Sequence, residues 1–154
     1  MAAFPASGLF VATMVDVLDA SNLQIDWDTE LSKVALWTNT ITVATDLVVN
    51  QSYNVSPWDT GEVPNGTGYT TGGVVLTGTT YVAGALGATT YDATDTPWTS
   101  STFSLVRGCL IYADQLAPKR GEIAVNFGAD YAVTAGTFTV QWNASGIVTI
   151  DWIP

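Results

Sequence analysis

Histidine is absent from this chain and cysteine occurs once, at Cys109. Nucleophilic triads, zinc sites and most acid-base pairs draw on histidine or on several cysteines, so those chemistries lack their residues here. A single cysteine excludes an intramolecular disulfide. With no histidine to activate it, the thiol reads as a small core residue inside an apolar run. Basic residues are scarce too: four Lys and Arg stand against fourteen Asp and Glu, a formal net charge of -10. Phosphate backbones and anionic membranes repel such a chain, so neither nucleic acid nor membrane is an expected partner. Residues 1–5 carry no basic stretch ahead of an apolar core, and glycine and threonine break the uncharged segments, so neither a signal peptide nor a membrane span is predicted. An enzyme built on this chain would have to work through carboxylates, and nothing in the spacing of Asp92, Asp95 or Asp114 separates an acid from a base. The reading is therefore of a non-enzyme with no cofactor and no metal site. The acidic cluster at residues 26–30 lacks the sixth-position glycine and the distal glutamate of a calcium loop, and reads as a solvated turn.

What the chain has is β-pattern. Ile123, Val125 and Phe127 alternate with Glu122, Ala124 and Asn126, and Phe138, Val140 and Trp142 alternate with Thr137, Thr139 and Gln141. This is the period of two of strands with one buried face. Val148, Ile150 and Trp152 repeat it, after a polar Asn143-Ala144-Ser145-Gly146 connection that suits a tight hairpin. With the apolar run at residues 105–114, these segments predict four successive antiparallel strands. Trp142 and Trp152 fall on the buried side. Residues 33–38 predict a central strand, 74–76 and 79–82 short strands, 41–53 a strand or a loop, 58–73 a glycine-rich surface loop, and 91–98 an irregular edge segment. Ser7 can cap a short helix carrying Phe10, Met14, Val17 and Leu18 at helical spacing.

At 154 residues the chain is long enough for one domain with its own core. The expected fold is mainly β, an antiparallel β-sandwich or partly closed barrel with one short N-terminal helix, over residues 7–154. Residues 1–6 form an uncharged arm that cannot bury itself, so Phe4 and Pro5 are expected to find contacts on a neighbour. Six tryptophans and six tyrosines could line a carbohydrate-binding platform or fill the core. Trp27, Trp37, Trp142 and Trp152 lie in or beside strand patterns and read as core. Trp58 and Trp98, next to prolines, together with Tyr69, read as contact surface.

Residues 26–38, 66–78, 91–99 and 107–114, followed by Ile123-Ala-Val-Asn-Phe-Gly128 and Gly136-Thr-Phe-Thr-Val-Gln-Trp142, resemble in order and spacing a group of small tailed-bacteriophage virion proteins. The resemblance covers most of the chain after residue 25, and its motifs are structural rather than catalytic. It implies a capsid decoration protein on the outer surface of the phage head, assembled in the host cytoplasm. Such a protein would bind the major capsid protein and itself, as a homotrimer, and stabilise the shell. A tail or fibre-associated protein is the alternative within the same class. A carbohydrate-binding module using Trp58, Tyr69 and Trp98 is the alternative outside it.

Overall fold

The computed structural model describes residues 7–10, 25–29, 31–41, 47, 52–84 and 87–151. Among these residues the chain forms eight strands: β1 (Gly8–Leu9), β2 (Ser32–Trp37), β3 (Val74–Val75), β4 (Thr80–Ala83), β5 (Ala88–Asp92), β6 (Thr96–Ala113), β7 (Gly121–Val140) and β8 (Val148–Asp151). They make a five-stranded sheet in the order β1-β7-β6-β2-β3 and a three-stranded sheet in the order β4-β5-β8, every pairing antiparallel. Neither sheet closes on itself. Of the two architectures the sequence leaves open, the sandwich is the one present.

The large sheet is buried on both faces, and its alternation shows why. From β2, Val34 and Leu36 point into one cluster while Ala35 and Trp37 point into the other. From β6, Cys109 and Ile111 go one way and Leu110 and Tyr112 the other. The first cluster is the space between the sheets, closed by Tyr91 of β5 and lined by Val148 and Ile150 of β8. The second is capped by side chains from outside the strands: Phe10, Ile41, Leu47, Tyr53 and Trp58. A strand buried on both faces reads as a continuous apolar run, which residues 105–114 display. Burial pushes the Cys109 thiol pKa far above its ordinary value, so it behaves as a small hydrophobe.

Several expectations need correcting. The C-terminal region holds three strands, because the two alternating segments around Phe127 and Phe138 belong to one long strand, β7. The Asn143 connection does turn, with Gly146 N–H donating to Asn143 O (2.7 Å) and Ser145 N–H to Asn143 Oδ1 (2.8 Å). It makes no hairpin, however: Ile147 N–H donates to Tyr91 O (2.8 Å) and β8 pairs with β5 in the other sheet. Trp142 pins this crossing, donating its N–H to Asp95 Oδ1 (2.9 Å) and its Nε1–H to Thr94 O (3.2 Å). The expected irregular edge at 91–98 instead holds the end of the central strand β5 and the start of β6. Near the N-terminus Ser7 caps no helix. Gly8–Leu9 pair with Ala124 and Ile123 of β7, and the Ser7 hydroxyl accepts the Asn126 N–H (2.8 Å). The rest of the expected helix, most of 41–53 and Trp152 lie outside the described residues.

Candidate functional site

The loop at residues 58–73 looks polar in sequence and is folded around a polar centre. Glu62 takes hydrogen bonds from Tyr53 Oη–H (2.9 Å), Tyr69 Oη–H (2.7 Å) and Gly72 N–H (2.6 Å). Tyr69 Oη in turn accepts the Leu36 N–H (3.0 Å), tying the loop to β2. Burial, reinforced by the Glu62 carboxylate, pushes both tyrosine hydroxyls well above the usual phenol range, so they stay protonated and donate. Tyr53 stacks on Tyr112 with centroids 4.3 Å apart, and Tyr112 Oη–H donates to Gly72 O (2.8 Å). Each hydroxyl serves a backbone or carboxylate partner, so this is a clasp for the loop.

That clasp carries Tyr69 inward, and the other two expected contact rings are buried as well. Trp58 is 1% exposed, packed on Phe10 and Trp37 at 5.4 and 5.3 Å. Tyr69 and Trp98 are each 2% exposed and lie 6.3 Å from one another. The reading of these three rings as surface is therefore corrected: none can stack on a sugar or touch a neighbour in this fold. Prolines beside Trp58 and Trp98 mark a loop and a strand entry, and here both stretches lie over the sheets. Phe4 and Pro5 lie outside the described residues. Asp26 is exposed and accepts from Asp28 N–H, Thr29 N–H and Thr29 Oγ1–H, the solvated turn expected. Among the described residues no group of acidic, cysteine or histidine side chains is arranged to hold a metal ion.

Among the described residues the exposed aromatic side chains are Tyr81 on β4 and Tyr131, which lies on the ribbon of β6 and β7. Past Gly108↔Asn126 the two strands continue as a pair with repeated register shifts. Ser100, Leu105 and Ala135 adopt positive φ (52°, 61° and 47°), and Gly128 does so at 79°. Bulges of this kind bend a ribbon and increase its twist. The bend brings Phe127 within 6.2 Å of Tyr131 and 6.3 Å of Phe138, and Phe138 within 5.3 Å of Phe103. On the concave side it leaves a groove of about 310 Å³ lined by Phe127, Tyr131, Phe138, Thr139, Val140 and Gln141. No charged side chain lines it. The nearby carboxylate of Asp130 is paired with Arg107 (2.7 Å), whose Nη1 also donates to Gly128 O (3.0 Å). Tyr131 is 47% exposed, and Leu105, beside the Val106↔Tyr131 pair, is 60% exposed.

Sequence reasoning missed this groove because it assigned Phe127 and Phe138 to buried faces of two separate strands. The available signal was Tyr131, a lone large side chain among the small residues 128–137. Chemically the groove can hold an apolar or aromatic side chain with polar atoms at its rim. It presents no nucleophile and no paired acid and base. Comparison with protein families, with curated proteins and with solved structures finds no match.

Proposed function

We propose that this chain is a non-enzymatic structural protein of a tailed-phage particle, attached to the outside of the head, where it binds the major capsid protein and stabilises the shell. The observation that carries the adhesive part of this reading is the open, uncharged aromatic groove on the ribbon, a surface suited to contact rather than to chemistry. The resemblance in residues 26–142 supplies the virion context, and a net charge of -10 with only 12% charged residues suits an outward face that avoids nucleic acid. With Trp58, Tyr69 and Trp98 in the core, the carbohydrate-platform alternative loses the rings it needed. The test is to add the purified protein to isolated heads and locate it by electron microscopy. Regular density on the outer shell, with a raised temperature of head disruption, is the expected result. Density on the tail alone would move the protein to the tail or fibre class, and no density on either would overturn the virion reading.

A further inference from the structure

Four of the five glycines in the loop at residues 58–73 are fixed by the fold: Gly61, Gly68, Gly72 and Gly73 have φ between +69° and +92°, where other residues are strained. Gly66 is the exception. Its φ lies outside that region, and a Cβ built on it would meet only Pro64 O, at 3.8 Å, an ordinary contact. Neither packing nor backbone conformation requires a glycine there. What the missing side chain does is leave the Gly66 nitrogen open to the residue before it, and of the chain's asparagines only Asn65 precedes a glycine. Both residues are exposed, and the Asn65 side-chain amide makes no hydrogen bond among the described residues. Asn126 Oδ1 and Asn143 Oδ1, by contrast, each accept a backbone N–H, and side chains follow them at Phe127 and Ala144.

We propose that Asn65 is a site of spontaneous covalent modification, an amide-to-acid conversion whose rate is set by the clasp around Glu62. The Gly66 nitrogen attacks Asn65 Cγ, the side-chain nitrogen leaves as ammonia with the Gly66 N–H proton, and a cyclic imide joins the two residues. Water, the only co-reactant, opens the imide at either carbonyl. The products are aspartate and, with the main chain rerouted through the side-chain carbon, isoaspartate. The folded loop restrains the attack: Gly66 N–H donates to Tyr69 O (3.0 Å) and Tyr69 N–H donates to Gly66 O (3.2 Å), a closed turn that must open first. Tyr69 is 2% exposed and anchored through its hydroxyl to Glu62 and to the Leu36 N–H. Local opening at the clasp therefore frees the nucleophile. The products bear on the ribbon as well. Thr67 O accepts the Thr102 N–H (3.0 Å), and a Cβ on Gly68 would lie 2.5 Å from Ser101 Cα, so the new carboxylate and the rerouted main chain fall where this turn rests on β6. This inference is independent of the virion reading, since it concerns the isolated protein.

The experiment ages the full chain in mildly alkaline buffer well below its melting temperature, and follows ammonia release and, by peptide mapping with mass spectrometry, conversion at each asparagine. The parent is aged folded, in urea below its unfolding transition, and unfolded, with folded Gly66→Ala and Tyr69→Phe beside it. Expected is conversion at Asn65 ahead of every other asparagine, with isoaspartate among the products, slowest in the folded parent and rising with urea before the transition. Tyr69→Phe should speed it about fivefold or more, the factor for one net hydrogen bond. Gly66→Ala should melt with the parent and suppress the conversion, because its methyl group hinders the attacking nitrogen. Where Tyr69→Phe does not fold, the urea series decides the gating. Asn65 left intact in the folded parent and in urea below the transition would overturn the proposal. So would a folded rate equal to the unfolded one, a folded Tyr69→Phe variant that converts at the parental rate, or a Gly66→Ala variant that converts as fast as the parent.

Discussion

The rings of Phe127 and Phe138 belong to one strand, β7, yet their centroids lie 6.3 Å apart. A straight strand would hold them more than about 30 Å apart at roughly 3.3 Å per residue. The ribbon of β6 and β7 therefore folds back along its own length, and the groove with half-exposed Tyr131 lies within the bend.

Leu105 tests what holds that bend. It sits at φ 61°, 60% exposed, where a leucine side chain gains little burial and its backbone conformation is unfavourable. Leu105→Asn, with a residue more tolerant of the left-handed region, is expected to stabilise the isolated protein by up to about 1 kcal/mol. Urea denaturation measures it, and a loss of stability would mean that the leucine side chain holds the ribbon.

Trp58 is a core residue that its sequence context disguises. Trp58→Ala removes a ring packed on Phe10 and Trp37, and should cost about 3–5 kcal/mol. Trp98→Ala should cost a similar amount. Tyr131→Ala, on the open groove, should change stability by less than about 0.5 kcal/mol. Chemical unfolding of the three variants gives the order, and a Tyr131 variant as weak as the Trp58 variant would place Tyr131 in the core.

Gly73 is required twice over. Its φ is +69°, and a Cβ there would overlap the backbone carbonyl of Val34 on β2. Gly73→Ala should destabilise by about 2–4 kcal/mol, since neither the strand nor the turn can yield. An alanine variant that melts with the parent would show that this turn is not held against β2.

Asp114 links stability to pH. Burial alone would push its carboxyl up, but hydrogen bonds from Lys119 (2.6 Å) and Lys33 (2.9 Å) outweigh that and hold it below the ordinary carboxylate value. A depressed pKa contributes stability that is present above the unfolded value of about 3.9 and is lost as pH falls through the folded value. Urea midpoints of the parent and of Asp114→Asn should therefore differ at pH 7 and converge as the pH falls below about 4. A constant gap would assign the effect to packing.

The parts of this fold that were legible are those decided by local pattern. The two-sided burial of β2 follows from apolar residues on both alternate positions, and the buried Cys109 follows from its place in an apolar run. The loop at 58–73 lies at the surface as its sequence suggests, but its buried anchors were not legible, because Tyr69 is drawn in by Glu62 and Trp58 by Phe10 and Trp37, and no local spacing encodes that. Nor was the bend of β7. Alternation on either side of Gly128 fits two short strands and one coiled strand equally well, and bulges at Ser100, Leu105 and Ala135 decide between them. The crossing at Asn143 has good turn chemistry, but turn chemistry does not say which sheet receives the next strand.

The pairing of β6 with β7 also orders events on the ribosome. These strands meet across residues 114–120, a short closure, whereas β2 reaches β6 from far along the chain, with Ser32 opposite Ala113. Until β6 has left the exit tunnel, β2 can pair only with β3 and with the short stretch around Glu62. The nascent chain thus carries an apolar strand with one edge unsatisfied through about half of its synthesis, and the large sheet is completed only when β7 emerges. Holding that early stretch apart from its neighbours is the part of this protein's biogenesis most exposed to chaperone supply.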